Sequence, residues 1–107
     1  MASSKEYLMF LMDQLSGLEG VSYKTMMGEY ILYYEGKIIG GIYDDRFLVK
    51  PTPAARRMLP DALMEKPYDG AKEMLLVGEL DDRVFLSDLI REIYEELPEP
   101  KKRGTKS

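Results

Sequence analysis

No cysteine and no histidine occur anywhere in the 107 residues. The first absence excludes disulfides, thiolate catalysis and thiolate zinc sites. The second removes the commonest general base, the commonest transition-metal ligand and the usual switch near neutral pH. Any catalysis would rest on Asp, Glu, Lys, Arg, Tyr, Ser or Thr, so the composition points away from an enzyme. No catalytic, metal or cofactor-binding residue is assigned. Long apolar runs are also missing. Tyr7–Met12 (YLMFLM), the longest near the N-terminus, is closed by Asp13, whereas a membrane span needs about 20 apolar residues. A soluble, cytoplasmic chain without membrane contact is expected.

What the sequence does have is charge, unevenly placed. Nineteen acids oppose fifteen bases, and four of those bases, Lys101, Lys102, Arg103 and Lys106, lie in the last seven residues. Residues 1–100 are therefore strongly acidic, which opposes long-range encounter with a phosphate backbone. The basic tail is the one segment that offers weak nucleic-acid contact. Such tails are more often solvated ends, and 99–107 reads as a polar, unstructured extension of a single domain over 1–98.

The hydrophobic period changes along the chain. Ser3-Ser4-Lys5-Glu6 has the capping-box pattern with Ser3 as N-cap, and Leu8, Leu11, Met12 and Leu15 form a helical stripe closed by Gly17 as a left-handed cap. From Val21 to Lys50 the period is two, with strands over 21–25, 29–34, 37–43 and 46–50. Their short links at Gly28, Glu35-Gly36 and Asp44-Asp45 force antiparallel neighbours. Thr52-Pro53 opens a short helix to Leu59. Residues 60–72 read as an irregular connection, Glu73–Val77 as a fifth strand, and Asp81 or Asp82 as the cap of a last amphipathic helix ended by Pro98. The predicted order is α-β-β-β-β-α-β-α: an α+β, two-layer domain whose five-stranded, mainly antiparallel sheet carries helices on one face.

The densest stretch is Met26–Lys37 (MMGEYILYYEGK). A type I turn through Tyr34-Glu35 with Gly36 as a left-handed bulge residue avoids positive φ at glutamate, and pairs Leu32 with Ile38, Ile31 with Ile39 and Tyr30 with Gly40. Alternation places Tyr30, Leu32 and Tyr34 on one face and Ile31 and Tyr33 on the other. Gly36-Lys37-Ile38-Ile39-Gly40-Gly41 lacks the spacing and the following helix of a phosphate loop. The acid pairs 44–45 and 81–82 read as a turn and a helix cap, because adjacent carboxylates point apart.

Several segments resemble the N-terminal domain of the TfoX/Sxy family over residues 5–98. They are Tyr23–Tyr30 (YKTMMGEY), Tyr34–Lys37 (YEGK), Gly41–Lys50 (GIYDDRFLVK) and Leu80-Asp81-Asp82-Arg83 leading into the last helix. The resemblance implies a two-layer α+β fold. Its best-known members are bacterial regulators of natural competence that act with the cyclic-AMP receptor protein as transcriptional co-activators, without catalysis of their own. Those regulators carry a further C-terminal helical domain, whereas this sequence has nine residues after Pro98. The expectation is a regulatory interaction module, monomeric or homodimeric, that meets a protein partner through Tyr33, Tyr34, Lys37, Arg56 and Arg57. Nucleic-acid contact through the tail, or small-ligand binding, is the alternative.

Overall fold

In the computed structural model, residues 3–98 are described, and the tail cations Lys101, Lys102, Arg103 and Lys106 lie outside them. The chain forms α1 (Lys5–Gln14), β1 (Val21–Met26), β2 (Glu29–Tyr34), β3 (Lys37–Ile42), β4 (Phe47–Val49), α2 (Pro53–Met58), β5 (Met64–Glu65), β6 (Met74–Leu76) and α3 (Arg83–Glu96). One antiparallel sheet has the order β1-β2-β3-β4-β6-β5. The α+β architecture agrees with the sequence reading. The sixth strand, β5, lies in the 60–72 connection, where two residues are too few to show a period of two.

Three two-residue turns build the first four strands. Met27 and Gly28, Glu35 and Gly36, and Asp44 and Asp45 all take positive φ, between 50° and 85°. That backbone matches the right-handed twist of the flanking strands. The type I turn predicted at Tyr34-Glu35 is therefore corrected: Glu35 itself is left-handed. Its N–H donates to the Gly20 carbonyl at 3.0 Å, which offsets part of the backbone cost. The register changes with it. Tyr34 faces Lys37 and Tyr33 faces Ile38; an irregularity follows, so that Leu32 faces Gly40, Ile31 faces Gly41 and Tyr30 faces Ile42. Ile39 is the extra residue of that bulge.

Leu8, Leu11 and Leu15 of the first helical segment and Leu86, Leu89, Ile90 and Ile93 of α3 meet Leu32, Ile39, Ile42, Phe47, Val49, Leu75 and Val77 of the sheet in one core. The helices therefore cover a single face. Thr52 and Asp82 cap α2 and α3 through the N–H groups of Ala55 and Phe85, as their positions in the sequence suggest. Glu96 also accepts from Ala54 N–H, binding the end of α3 to the start of α2. Gly17 is absent from the left-handed residues, and α1 closes at Leu15 without it.

The N-cap of α1 is Ser4, whose hydroxyl accepts from Tyr7 N–H, not Ser3. The Ser3 hydroxyl instead donates to Glu29 Oε1 at 2.6 Å and accepts from Asp45 N–H at 3.0 Å. Glu29 accepts a second bond from Asp44 N–H, so one serine and one carboxylate tie two adjacent turns together. Ser4→Ala is expected to lower stability by about 1 kcal/mol, read as a shift of the urea midpoint. An unchanged midpoint would return the cap to Ser3.

Candidate interaction surface

Alternation along the strands defines the face away from the helices. Ser22, Tyr33 and Ile38 form one row across β1, β2 and β3 through their cross-strand pairings. Lys50, whose N–H bonds the Ile39 carbonyl, continues that row past β4. Tyr33, Ile38 and Lys50 line a depression of about 250 Å³, together with Gly36, Lys37, Leu97 and Pro98. Ile38 is 38% exposed, an unusual position for a β-branched apolar side chain on an open sheet face. The Lys24 ammonium stands 6.0 Å from the Tyr33 ring centroid, at the outer limit of a cation–π contact. Together these residues make an apolar and aromatic strip bordered by lysines.

The other half of this face is closed. Tyr43 packs its ring over Gly41, where an added Cβ would lie 2.7 Å from a ring carbon. Tyr68 approaches Tyr43 with centroids 6.2 Å apart. Leu48, which pairs with Gly41 and Leu76, is fully buried. Arg46 holds the neighbouring connection through Glu65 and the Lys66 carbonyl.

The sequence-selected residues do not converge. Tyr33 lies on the open strip. Tyr34 turns to the helix side, edge-on to Tyr94 at 5.2 Å between centroids. Lys37 also turns inward, at 7% exposure. Its Nζ donates to the Leu97 carbonyl at 2.9 Å and the Tyr94 carbonyl at 3.4 Å, and sits 4.1 Å from the Tyr94 centroid. It thereby places a cation at the carbonyl end of α3, where it meets the Leu97 carbonyl and shares the Tyr94 carbonyl with Leu97 N–H. Arg56 and Arg57 are exposed on α2, with Arg56 Nε donating to the Pro51 carbonyl. Lys24, Ile38 and Lys50 are the strip residues that sequence reasoning missed. The only signal for them was parity with Tyr33; the predicted turn set Ile38 opposite Leu32 instead, and the bulge at Ile39 hides the parity of the residues after it.

The displaced ionisations fall elsewhere. Burial pushes the Tyr7 hydroxyl above its ordinary value of 10.0, opposed by the bond it accepts from Phe47 N–H and reinforced by Asp45. Tyr43 is raised by burial first, then by Tyr68, Glu29 and Tyr33. An acid raised in the folded state holds its proton longer there than in the unfolded chain. Its stabilisation is complete below pH 10.0 and is lost as pH rises through the folded value. The urea midpoint is expected to fall above about pH 10, and less steeply in Tyr43→Phe; parallel profiles would remove Tyr43 from that linkage. Among the described residues, no group of three or more acidic side chains is arranged to hold a metal ion. Nor is any helix long and apolar enough to cross a membrane.

The sequence pattern of the TfoX N-terminal domain family matches residues 13–96. The chain is also 34% identical over 108 residues to a protein of Spirochaeta aurantia described as an uncharacterised 12.7 kDa protein in the trpE 5′ region. That match covers 100% of this chain and 94% of the relative. No solved structure matches.

Proposed function

The chain belongs to the TfoX N-terminal domain family, which is associated with competence regulation, and we propose from that premise that it is a non-enzymatic interaction module of the transcriptional co-activator type. Its partner is a protein with an acidic, apolar-studded surface, held on the open half of the outer sheet face. The observation that carries this reading is the strip of Tyr33 and Ile38 between Lys24 and Lys50. It is apolar enough to gain from desolvation, and its lysines select the sign of the partner. Its aromatic ring is held in place by cross-strand neighbours, which limits the entropy lost on binding.

Crosslinking and pull-down from the native cell, followed by titration of purified cyclic-AMP receptor protein, tests the reading. Tyr33→Ala combined with Lys50→Glu is expected to weaken the captured complex at least about tenfold, roughly 1.4 kcal/mol. Neither residue belongs to the core, but Tyr33 is half-buried and paired on both sides. A loss of about 1 kcal/mol of stability is therefore expected, too little to unfold the chain, and capture is compared at equal folded concentration. Arg56→Glu with Arg57→Glu, on the helix side, should leave the complex intact. If the α2 pair abolishes capture and the strip pair does not, the docking surface lies on α2 instead.

A further inference from the structure

A second surface, remote from the strip, is built quite differently. The end of α2, the 59–63 connection, the end of β6 and the first turn of α3 enclose an open groove of about 540 Å³. Met58, Val77 and Phe85 form its apolar floor, and Leu63, 64% exposed, stands at its wall. Three carboxylates, Asp61, Glu79 and Asp82, line it, and among the described residues no lysine or arginine does. Asp82 also caps α3 through Phe85 N–H, so its charge is fixed at the groove. The partly buried Met58, Leu59, Ala62 and Phe85 pack against the core beneath, so the floor is a rigid extension of the core.

An apolar floor with an acidic border is complementary to an apolar side chain flanked by cations. The basic tail of this chain supplies the charge, but residues 99–107 (EPKKRGTKS) contain no large apolar side chain for the floor. We propose that the groove docks a partner's peptide segment in which a leucine or phenylalanine stands between lysines or arginines. The apolar side chain covers Met58, Val77 and Phe85, and the cations meet Asp61, Glu79 and Asp82. The sign of this surface is opposite to that of the strip. One small domain thereby engages two partners of opposite charge, or two differently charged regions of one.

The test uses the full chain and a fluorescent synthetic peptide carrying Leu and Phe between Lys-Arg pairs, titrated by anisotropy at low salt. One control peptide replaces the cations with Glu, and another replaces Leu and Phe with Ser. The basic, apolar peptide is expected to bind at least about tenfold more tightly than either control. Leu63→Ser with Glu79→Lys, both at exposed positions, is expected to cost at least about tenfold in affinity at an unchanged urea midpoint. Tyr33→Ala should leave peptide binding as it was, which separates this groove from the strip. Equal binding of all three peptides, or full binding by the Leu63/Glu79 variant, overturns the proposal. So does a large gain in affinity when Lys101, Lys102, Arg103 and Lys106 are replaced by Ser, because the chain's own tail would then be the occupant. A concentration-dependent dimer in sedimentation that Glu79→Lys dissolves would name a second copy instead, and equally overturns it.

Discussion

A Gly40→Ala chain is expected to lose at least about 4 kcal/mol of stability or fail to fold cooperatively, among the largest effects open to a single methyl group. An added Cβ at this position would overlap the Leu48 carbonyl oxygen and lie 2.9 Å from Val49 Cα. These are backbone atoms of the paired strand β4, so no rotamer change can make room. Relief requires β4 to move away from β3, yet Phe47, Val49, Ile39 and Ile42 are all fully buried in the core that this pairing aligns. Gly17→Ala is the control: nothing lies within 4 Å of its added Cβ and its φ is not left-handed, so a change within about 0.5 kcal/mol is expected. Urea titration of both variants checks the pair. A Gly40→Ala midpoint close to native would mean that β3 and β4 are spaced more widely than described.

Lys37→Met is expected to cost about 2–3 kcal/mol, although it keeps the apolar stem and removes only the ammonium. That group bonds the last carbonyls of α3 at Leu97 and Tyr94 and lies against the Tyr94 ring. Removing it takes the ammonium donor from the Leu97 carbonyl, leaves the Tyr94 carbonyl with only its bond from Leu97 N–H, and takes a favourable charge from the helix C-terminus. The damage should be local as well as global. Amide exchange in the last turn of α3 is expected to accelerate more than in β3. A Lys37→Met protein as stable as the native chain would show that solvent replaces the ammonium.

This lysine also marks the limit of what the sequence reveals. Alternation along β3 is legible locally, but the pairing with Tyr34 is not, because the predicted turn offsets the register by one residue; the arrival of the α3 C-terminus above that position is a consequence of tertiary packing. The α3 stripe, the Thr52 and Asp82 caps and the antiparallel order of β1 to β4 are readable because each rests on periodicity or on a single capping side chain. Glu35 is not. Its left-handed backbone is costly by intrinsic preference and is held by a bond to Gly20, remote in the sequence. Strand β5 gives no local signal, because a two-residue strand exists only through its partner β6. The open strip was half legible. Tyr33 follows from simple alternation, but Ile38 needs the left-handed turn at Glu35-Gly36 and Lys50 needs the bulge to be known, and the inward rotation of Tyr34 and Lys37 needs α3.

The three two-residue turns also divide the cost of closing the fold. Each brings its strands together around a minimal loop, so little chain entropy is spent before ladder bonds form from β1 through β4. Joining β6 to β4 is different: Val49 must find Leu75 across α2, β5 and the connections between them. The ordering penalty of the sheet is therefore concentrated in the 50–74 segment. The same segment supplies Asp61 and Leu63 to the acidic groove, so of the two surfaces the one with the more exposed apolar side chain is also the one whose assembly is more costly.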